Sequence, residues 1–202
     1  MKTYKHFFYD FDGMIADTYP HVARALVTVL ERTRGEKMDE REAYDLLKVN
    51  FAHTFKTLNV TPEEEEAEFR ELHVQWNFEP LPKLFPHIDE VIRETVARGH
   101  KCYIFTNRSD SLHEYLENLG LHPYFTDFIL RAHKPSADKL LEMIDAYGLD
   151  RAECVVVGDR ALDVESARMA GVDGILFDND GRVEEHCATH VVTKIEELYQ
   201  FL

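Results

Sequence analysis

Two pairs of aspartates stand directly after short apolar runs of the chain. Asp10 and Asp12 follow one run, and Asp159 and Asp163 follow another. Two residues apart on an extended chain, the side chains of Asp10 and Asp12 leave on the same face, so that both can address one bound group. One carboxylate can then attack phosphorus while the other carries a proton. The first pair therefore indicates nucleophilic chemistry assisted by an acid or base.

A hydroxyl and an ammonium group extend this set. Thr106 follows a further apolar run, and Lys134 lies four residues beyond the next one. If these runs are parallel strands, their carboxyl ends meet at one edge of a sheet, where such folds bind ligands. Carboxylates flanked by a hydroxyl and an ammonium group favour a hard, oxygen-binding cation together with an anion. Each residue alone has an ordinary explanation as a turn, cap or surface residue, so the prediction depends on the whole set and its order.

Six short apolar runs alternate with amphipathic segments. The runs are too short for helices and rich in β-branched and aromatic residues, which predicts strands at His6–Tyr9, Lys101–Phe105, 127–130, 153–157, Asp173–Phe177 and His190–Val192. The segments between the runs end in glycine, which suits left-handed helix caps; these residues are Gly99, Gly120, Gly148 and Gly171. The alternation predicts an α/β fold with a parallel sheet and helices on both faces.

About 90 residues separate the first two runs, far more than one crossover connection needs. Periodic apolar residues predict helices there at 22–30 and 40–47. Residues 61–64 resemble a capping box with proline at the first helical position. The helix that follows carries its larger side chains on one face, namely Phe69, Leu72, His73 and Trp76. The acidic run at 63–66 is interpreted as the solvated N-terminus of that helix.

The composition restricts the classes of function. The 202 residues are 45% hydrophobic, which is enough for a sizeable core. A formal net charge of −15 repels nucleic acid polymers and anionic membranes, although a local cation can still attract a small phosphorylated ligand. The three cysteines form no C-x-x-C pair, so neither a disulfide framework nor a zinc site is predicted. With no leader and no long apolar stretch, we expect a cytoplasmic protein; the oligomeric state is not predicted.

Four motifs in this order resemble the haloacid dehalogenase superfamily. They are D-x-D-G with a following D-T, a hydrophobic strand ending in T-N, then K-P, then G-D-x-x-x-D; their residues are 10–18, 106–107, 134–135 and 158–163. The helical insertion directly after Asp17 and Thr18 resembles the branch typified by phosphoglycolate phosphatase and β-phosphoglucomutase. The resemblance implies a three-layer, doubly wound, Rossmann-like core over 1–16 and 82–202. Its sheet would have five central parallel strands, and residues 17–81 would form a mobile, all-helical cap domain.

The resemblance also implies roles for the aspartates. Asp10 would be the nucleophile that forms an aspartyl-phosphate, and Asp12 would protonate the leaving oxygen and then take a proton from water. Mg²⁺ would be held by Asp10, by the backbone carbonyl of Asp12 and by Asp159. Asp163 would orient a metal-bound water or the lysine.

The other motif residues would bind the phosphoryl group. Thr106 and the backbone of Asn107 would hold its oxygens, and Lys134 would neutralise charge on it and on the nucleophile. Two positions depart from the common pattern: Met14 stands where the family often has threonine, and Arg160 where many relatives have a small hydroxyl residue. Arg160 either points to solvent or adds a cation near the phosphate.

Three functions stay open at this stage. The first is a Mg²⁺-dependent phosphatase of a small phosphomonoester; the second is a phosphosugar mutase; the third is a non-catalytic phosphate-sensing module. Receiver-like sensors place their acidic residues in a different order, which disfavours the third. The substrate stays open between phosphoglycolate, a sugar phosphate, a nucleotide monophosphate and pyrophosphate. Candidates to contact its leaving group are Tyr19, His21, Tyr44, Lys48, Asn50, His53 and Lys56.

Overall fold

The protein is described here by a computed structural model that covers residues 2–75, 78–183 and 185–202. Two compact units divide the chain. One, the core unit, comprises Met1–Ala16 and Leu84–Leu202, and the other, the helical unit, comprises Asp17–Lys83. The second boundary lies two residues beyond the position 81 expected from the sequence.

One six-stranded parallel sheet forms the centre of the core unit. The strands among the described residues are β1 (His6–Tyr9), β2 (Ala16–Asp17), β3 (Lys83–Leu84), β4 (Lys101–Phe105), β5 (Phe125–Ile129), β6 (Cys154–Gly158), β7 (Asp173–Phe177) and β8 (His190–Val192). The sheet order is β5-β4-β1-β6-β7-β8, and each pair of neighbours is parallel. The predicted doubly wound α/β class is confirmed. A short sixth strand, β8, extends the five that the resemblance implied.

Eight α-helices lie in the described part of the chain. They are α1 (Tyr19–Arg34), α2 (Glu40–Val49), α3 (Phe51–Thr57), α4 (Ala67–Leu72), α5 (Ile88–Ala97), α6 (Ser111–Asn118), α7 (Asp138–Tyr147) and α8 (Ala161–Ala170). Helices α7 and α8 end at Gly148 and Gly171, whose φ angles of 62° and 70° are left-handed, as predicted. Both helices bury apolar side chains, Ile144 and Ala167 among them, in the same cluster as Phe8 and Val156 of the sheet.

The helical unit has its own apolar core. Helix α1 contributes Leu26 and Val29, which are fully buried together with Phe69 of α4. The helices predicted at 22–30 and 40–47 are confirmed within α1 and α2. Of the side chains predicted to share one face of the third helix, Phe69 and Leu72 are buried and His73 is half-buried; Trp76 lies outside the described residues.

The acidic run at 63–66 is solvated, as the sequence predicts, except at Glu65. Its N-terminal turn, Pro62–Glu66, is a π-helix rather than an α-turn, and the side chain of Glu65 is buried. Glu65 binds Arg34 of α1 through both carboxylate oxygens and accepts further hydrogen bonds from Thr33 Oγ1 and the Thr61 backbone N–H. The prediction of a solvated run was therefore wrong for Glu65, because a distant arginine neutralises it.

Candidate active site

The predicted site residues meet at the carboxyl edge of the three central strands. Asp10 follows β1, Thr106 follows β4, and Asp159 follows β6. The backbone N–H of Asp10 donates to the carbonyl of Val157, at 2.8 Å, so the ends of β1 and β6 lie level. Because the chain winds outward in both directions from β1, this edge is the switch point at which doubly wound sheets bind ligands.

Four charged side chains form a buried charge cluster at this edge: Asp10, Lys134, Asp159 and Asp163. None is more than 7% exposed. The ammonium nitrogen of Lys134 lies 2.9 Å from Asp10 Oδ1 and 2.5 Å from Asp163 Oδ1. Each of the three aspartates offers a carboxylate oxygen within 4.8 Å of the others. The structure thus brings together residues that lie more than 150 positions apart in the chain.

Local geometry explains how two of these side chains are held. Asp163 lies in the first turn of α8, where its Oδ2 accepts the Arg160 backbone N–H at 3.0 Å. A side chain at Gly158 would place its Cβ 2.4 Å from the Asp163 carboxyl carbon, so only glycine permits this approach. On the other side, the backbone N–H of Lys134 donates to Asn107 Oδ1 at 2.9 Å. The amide of Asn107 therefore fixes the loop that carries the lysine.

Electrostatics leaves the cluster with excess negative charge. Burial raises the pKa of Asp10 above its ordinary value, although the Lys134 ammonium works against this, and Asp163 and Asp159 add to it. Burial also disfavours charge on Lys134, but Asp10 and Asp163 raise its pKa. One oxygen of the nucleophile candidate, Asp10 Oδ2, has no hydrogen-bond partner among the described residues.

A divalent cation fits this cluster. Three carboxylates stand against the Lys134 ammonium group and the Arg160 guanidinium, whose Nε lies 3.9 Å from Asp159 Oδ1, which leaves a surplus of one negative charge. All available donors are hard oxygens, the ligands that Mg²⁺ prefers. Both oxygens of Asp163 already accept hydrogen bonds, one from the Lys134 ammonium group and the other from the Arg160 backbone N–H. The oxygens of Asp10 and Asp159 are therefore the better placed to bind the ion directly.

Asp12 lies beside this cluster and is bound by a buried arginine. Arg108 Nε donates to Oδ1 and Oδ2 of Asp12 at 3.0 and 2.8 Å, and its Nη2 donates to Oδ1 at 2.8 Å. The guanidinium lies against the rings of Phe11 and Tyr115, 5.4 and 4.7 Å from their centroids. The backbone N–H of Arg108 also donates to Thr106 Oγ1 at 3.2 Å. One residue thus contacts both an acidic and a hydroxyl group of the predicted site.

A sequence model of the haloacid dehalogenase-like hydrolases matches residues 7–177 of this chain. The chain belongs to the haloacid dehalogenase-like hydrolase family. It is 28% identical over 196 residues to the phosphoglycolate phosphatase of Caulobacter vibrioides, an alignment that covers 90% of this chain and 81% of that protein. It is 24% identical over 191 residues to the fructose-1-phosphate phosphatase YqaB of Escherichia coli, with 86% and 96% covered.

Solved structures give the same fold. A haloacid dehalogenase-like family hydrolase from Streptococcus pneumoniae superposes with a TM-score of 0.83 over 98% of each chain, at 17% sequence identity. In this haloacid dehalogenase-like hydrolase, none of the described helices has the length and apolar character needed to cross a membrane. Its three cysteines, Cys102, Cys154 and Cys187, are free thiols.

Two features of this family member were not assigned from its sequence. No motif in the sequence assigns a role to Arg108. Its position, two residues after Thr106 at the end of a buried strand, is a signal, because a buried cation needs a carboxylate partner nearby. For Arg160 the sequence leaves open whether the side chain points to solvent or adds a cation near the phosphate. In the structure its Nε lies 3.9 Å from Asp159 Oδ1, and only 17% of its side chain is exposed. It adds positive charge next to the cluster rather than pointing to solvent.

Proposed function

We propose that this hydrolase is a Mg²⁺-dependent phosphatase that cleaves a small phosphomonoester through an aspartyl-phosphate on Asp10. The observation that carries the proposal is the environment of Asp10. One of its oxygens is oriented by Lys134, and the other has no hydrogen-bond partner among the described residues. A buried carboxylate held in this way is suited to attack an electrophilic phosphorus atom. The names of the two phosphatases to which the chain is similar support the same reaction.

The proposed reaction has two displacements at phosphorus. In the first, a carboxylate oxygen of Asp10 forms a bond to phosphorus while the bond to the leaving oxygen breaks, and Asp12 gives that oxygen a proton. In the second, Asp12 takes a proton from water, the water oxygen bonds to phosphorus, and the bond to Asp10 breaks. Phosphate leaves, Asp10 is again an ionised carboxylate, and Asp12 is again the protonated acid with which the first step began. Positioning and charge neutralisation supply most of the acceleration in such transfers.

The remaining residues hold the reacting groups. Lys134 is fixed between two carboxylates, where its ammonium group offsets charge on Asp10 and on an incoming phosphoryl group. The hydroxyl of Thr106 accepts the Arg108 backbone N–H, which leaves its own proton to donate to a phosphoryl oxygen. Asn107 holds the lysine loop through its side chain and offers its backbone N–H to the same group.

Mg²⁺ would be held by Asp10, Asp159 and the backbone carbonyl of Asp12, where its charge would offset that of the carboxylates and phosphoryl oxygens. Asp163 would then act on Lys134 rather than on the ion, because both of its oxygens already accept hydrogen bonds. We also assign the helical unit the role of a cap that selects the leaving group, because it is inserted directly after the first motif. The substrate would be a small phosphorylated metabolite.

The test is phosphate release from a panel of phosphomonoesters, measured with Mg²⁺ and again with EDTA. The panel contains phosphoglycolate, fructose 1-phosphate, a nucleoside monophosphate and pyrophosphate. We expect metal-dependent release that disappears in Asp10→Asn and persists in Asp145→Asn, a matched change at an exposed aspartate. Release that survives EDTA or Asp10→Asn contradicts the proposal. Isomerisation of a sugar phosphate without release would instead identify a mutase, and no turnover by the folded protein a sensor.

A further inference from the structure

The contact between Arg108 and Asp12 has the geometry of a rigid fork. Two nitrogens of the guanidinium donate to the carboxylate, and the distances of 2.8 to 3.0 Å are those of charge-assisted hydrogen bonds. A planar fork fixes the distance, the direction and the plane of the carboxylate, whereas a lysine ammonium would fix the distance alone. Asp12 therefore has its orientation set by its partner.

The guanidinium itself is confined. The rings of Phe11 and Tyr115 are fully buried, and both lie against the charged group. Burial disfavours the charged form of Arg108, but the Asp12 carboxylate raises its pKa above the ordinary value, so it stays a cation. Only 6% of the arginine side chain is exposed, against 24% of the aspartate. The accessible part of this ion pair is therefore the Asp12 carboxyl group.

The same residue holds a second group of the site through its backbone. The Arg108 N–H donates to Thr106 Oγ1, and the Arg108 carbonyl accepts the N–H of Arg131 at 2.9 Å, which anchors the segment after β4. The side chain of Arg108 thus fixes a carboxylate that follows β1, and its backbone fixes a hydroxyl that follows β4. Movement of this one residue would displace both.

We propose that Arg108 is a positioning residue that holds Asp12 for proton transfer to the leaving oxygen. This inference rests on the proposed function, in which Asp12 is the acid and base. The edge of the carboxylate that faces Arg108 stays bound throughout, and the exposed edge carries the proton to the leaving oxygen and later takes one from water. Arg108 itself exchanges no proton and contacts no substrate atom in this account.

The test compares two substrates that differ in their need for an acid. An alkyl phosphate needs a proton on its leaving oxygen, whereas 4-nitrophenyl phosphate releases a stable anion. Arg108→Lys keeps the charge and loses the fork. We expect its first-turnover rate to fall by about 100-fold for the alkyl phosphate, the cost of a misplaced catalytic group, and by less than about 3-fold for 4-nitrophenyl phosphate, where the acid is not needed.

Two controls make this result specific. Arg98→Lys makes the same change at an exposed ion pair with Glu94 and should leave both rates unchanged. If Arg108→Lys does not fold, Tyr115→Leu and Tyr115→Phe replace it. The leucine variant removes both the ring and the hydroxyl that interact with the guanidinium and should give the same selective loss to a smaller degree. The phenylalanine variant keeps the ring and loses only the hydroxyl, so its loss for the alkyl phosphate should be smaller still. Equal losses for both substrates, or none, would overturn the proposal.

A second readout does not depend on turnover. The order of the Asp12 side chain can be followed by ¹³C relaxation of its carboxyl carbon, and we expect a rigid carboxyl in the wild type and a mobile one in Arg108→Lys. If the wild type hydrolyses no phosphomonoester but Asp12 becomes mobile, the proposed function fails while the positioning contact stands. If Asp12 stays rigid in Arg108→Lys, the positioning role is refuted whatever the activity.

Discussion

One buried carboxylate of the helical unit, Glu65, and one of the core unit, Asp10, are held in opposite ways. In the helical unit, both oxygens of Glu65 accept hydrogen bonds from Arg34, and Thr33 and Thr61 supply further donors. The Arg34 guanidinium is the main reason that the pKa of Glu65 is lowered to about 2. In the core unit, Asp10 keeps an oxygen without a hydrogen-bond partner among the described residues, and burial raises its pKa.

This difference separates a carboxylate that holds the fold together, Glu65, from one that is suited to react, Asp10. When a buried acid accepts hydrogen bonds on all of its oxygens, its removal lowers stability, because the charge of its partner is left uncompensated. A buried acid with an unbound oxygen and a raised pKa lowers stability, and such groups cluster at functional sites. Activity and stability should therefore respond in opposite ways to substitutions at Asp10 and Glu65.

The largest expected effect is on the activity of Asp10→Asn. Loss of the nucleophile should lower kcat by about 10³-fold or more, a loss typical of removing such a group. Without the buried charge, the ion-free variant should unfold at the same temperature as the wild type or a higher one. Steady-state phosphate release and thermal unfolding measure the two effects. A variant that loses stability together with activity would remove the contrast between the units.

The reverse pattern is expected for Glu65→Gln. The substitution removes the carboxylate from Arg34, whose side chain is 23% exposed and keeps Glu36 at 3.6 Å, so we expect the loss of a charged hydrogen-bond pair, about 1.5–3 kcal/mol in the free energy of unfolding. The activity per folded molecule should stay within about twofold of the wild type, because no chemistry is assigned to this residue. Urea unfolding measures the loss, and Glu64→Gln, at an exposed position beside it, should change the free energy by less than about 0.5 kcal/mol.

Metal binding should stabilise the protein through the buried charge cluster alone. A ligand at 100 times its Kd adds about 2.7 kcal/mol to the free energy of unfolding, so Mg²⁺ should raise the Tm. Asp159→Ala should abolish this rise, and Asp145→Ala, at an exposed aspartate, should keep it. A thermal shift series with Mg²⁺ and EDTA measures the effect. An unchanged Mg²⁺ response in Asp159→Ala would refute its assignment as a ligand.

The smallest effect is a pH dependence that sharpens the role of Glu65. Its folded pKa is about 2, below the ordinary value of 4.5, so ionised Glu65 contributes its full stability above pH 4.5. That contribution is lost as the pH falls through the folded pKa. The stability gap between the wild type and Glu65→Gln should therefore narrow from about pH 4.5 towards pH 2. Urea unfolding at several pH values measures it; a constant gap would mean that ionisation of Glu65 stabilises nothing.

The sequence predicts those parts of this molecule that depend on local pattern. The run His6–Tyr9 is the strand β1 at both of its ends, since an apolar run between polar residues has clear limits. Strand β5 begins at Phe125, two residues before the predicted start, because Phe125 follows directly from a short 3₁₀ turn. The site could be located because strand ends in a parallel sheet lie at one edge, whatever their separation along the chain.

The parts that depend on distant partners could not be predicted. Glu65 in an acidic run has the sequence pattern of a solvated residue, and only the fold brings Arg34 to it from 31 positions away. Arg108 likewise finds its carboxylate, Asp12, 96 positions away. Periodicity reports which face of an element is buried, but it does not report which charges are paired there.

The most direct test of the account is to trap the phosphoryl group on the protein. Enzyme mixed with Mg²⁺ and a substrate from the active panel is quenched in acid within one turnover, digested and mapped by mass spectrometry. The account predicts one phosphoryl group on Asp10, absent from Asp10→Asn and from samples with EDTA. A phosphoryl group on another residue, or none while substrate is being hydrolysed, would contradict the central claim that the unbound oxygen of Asp10 is the nucleophile.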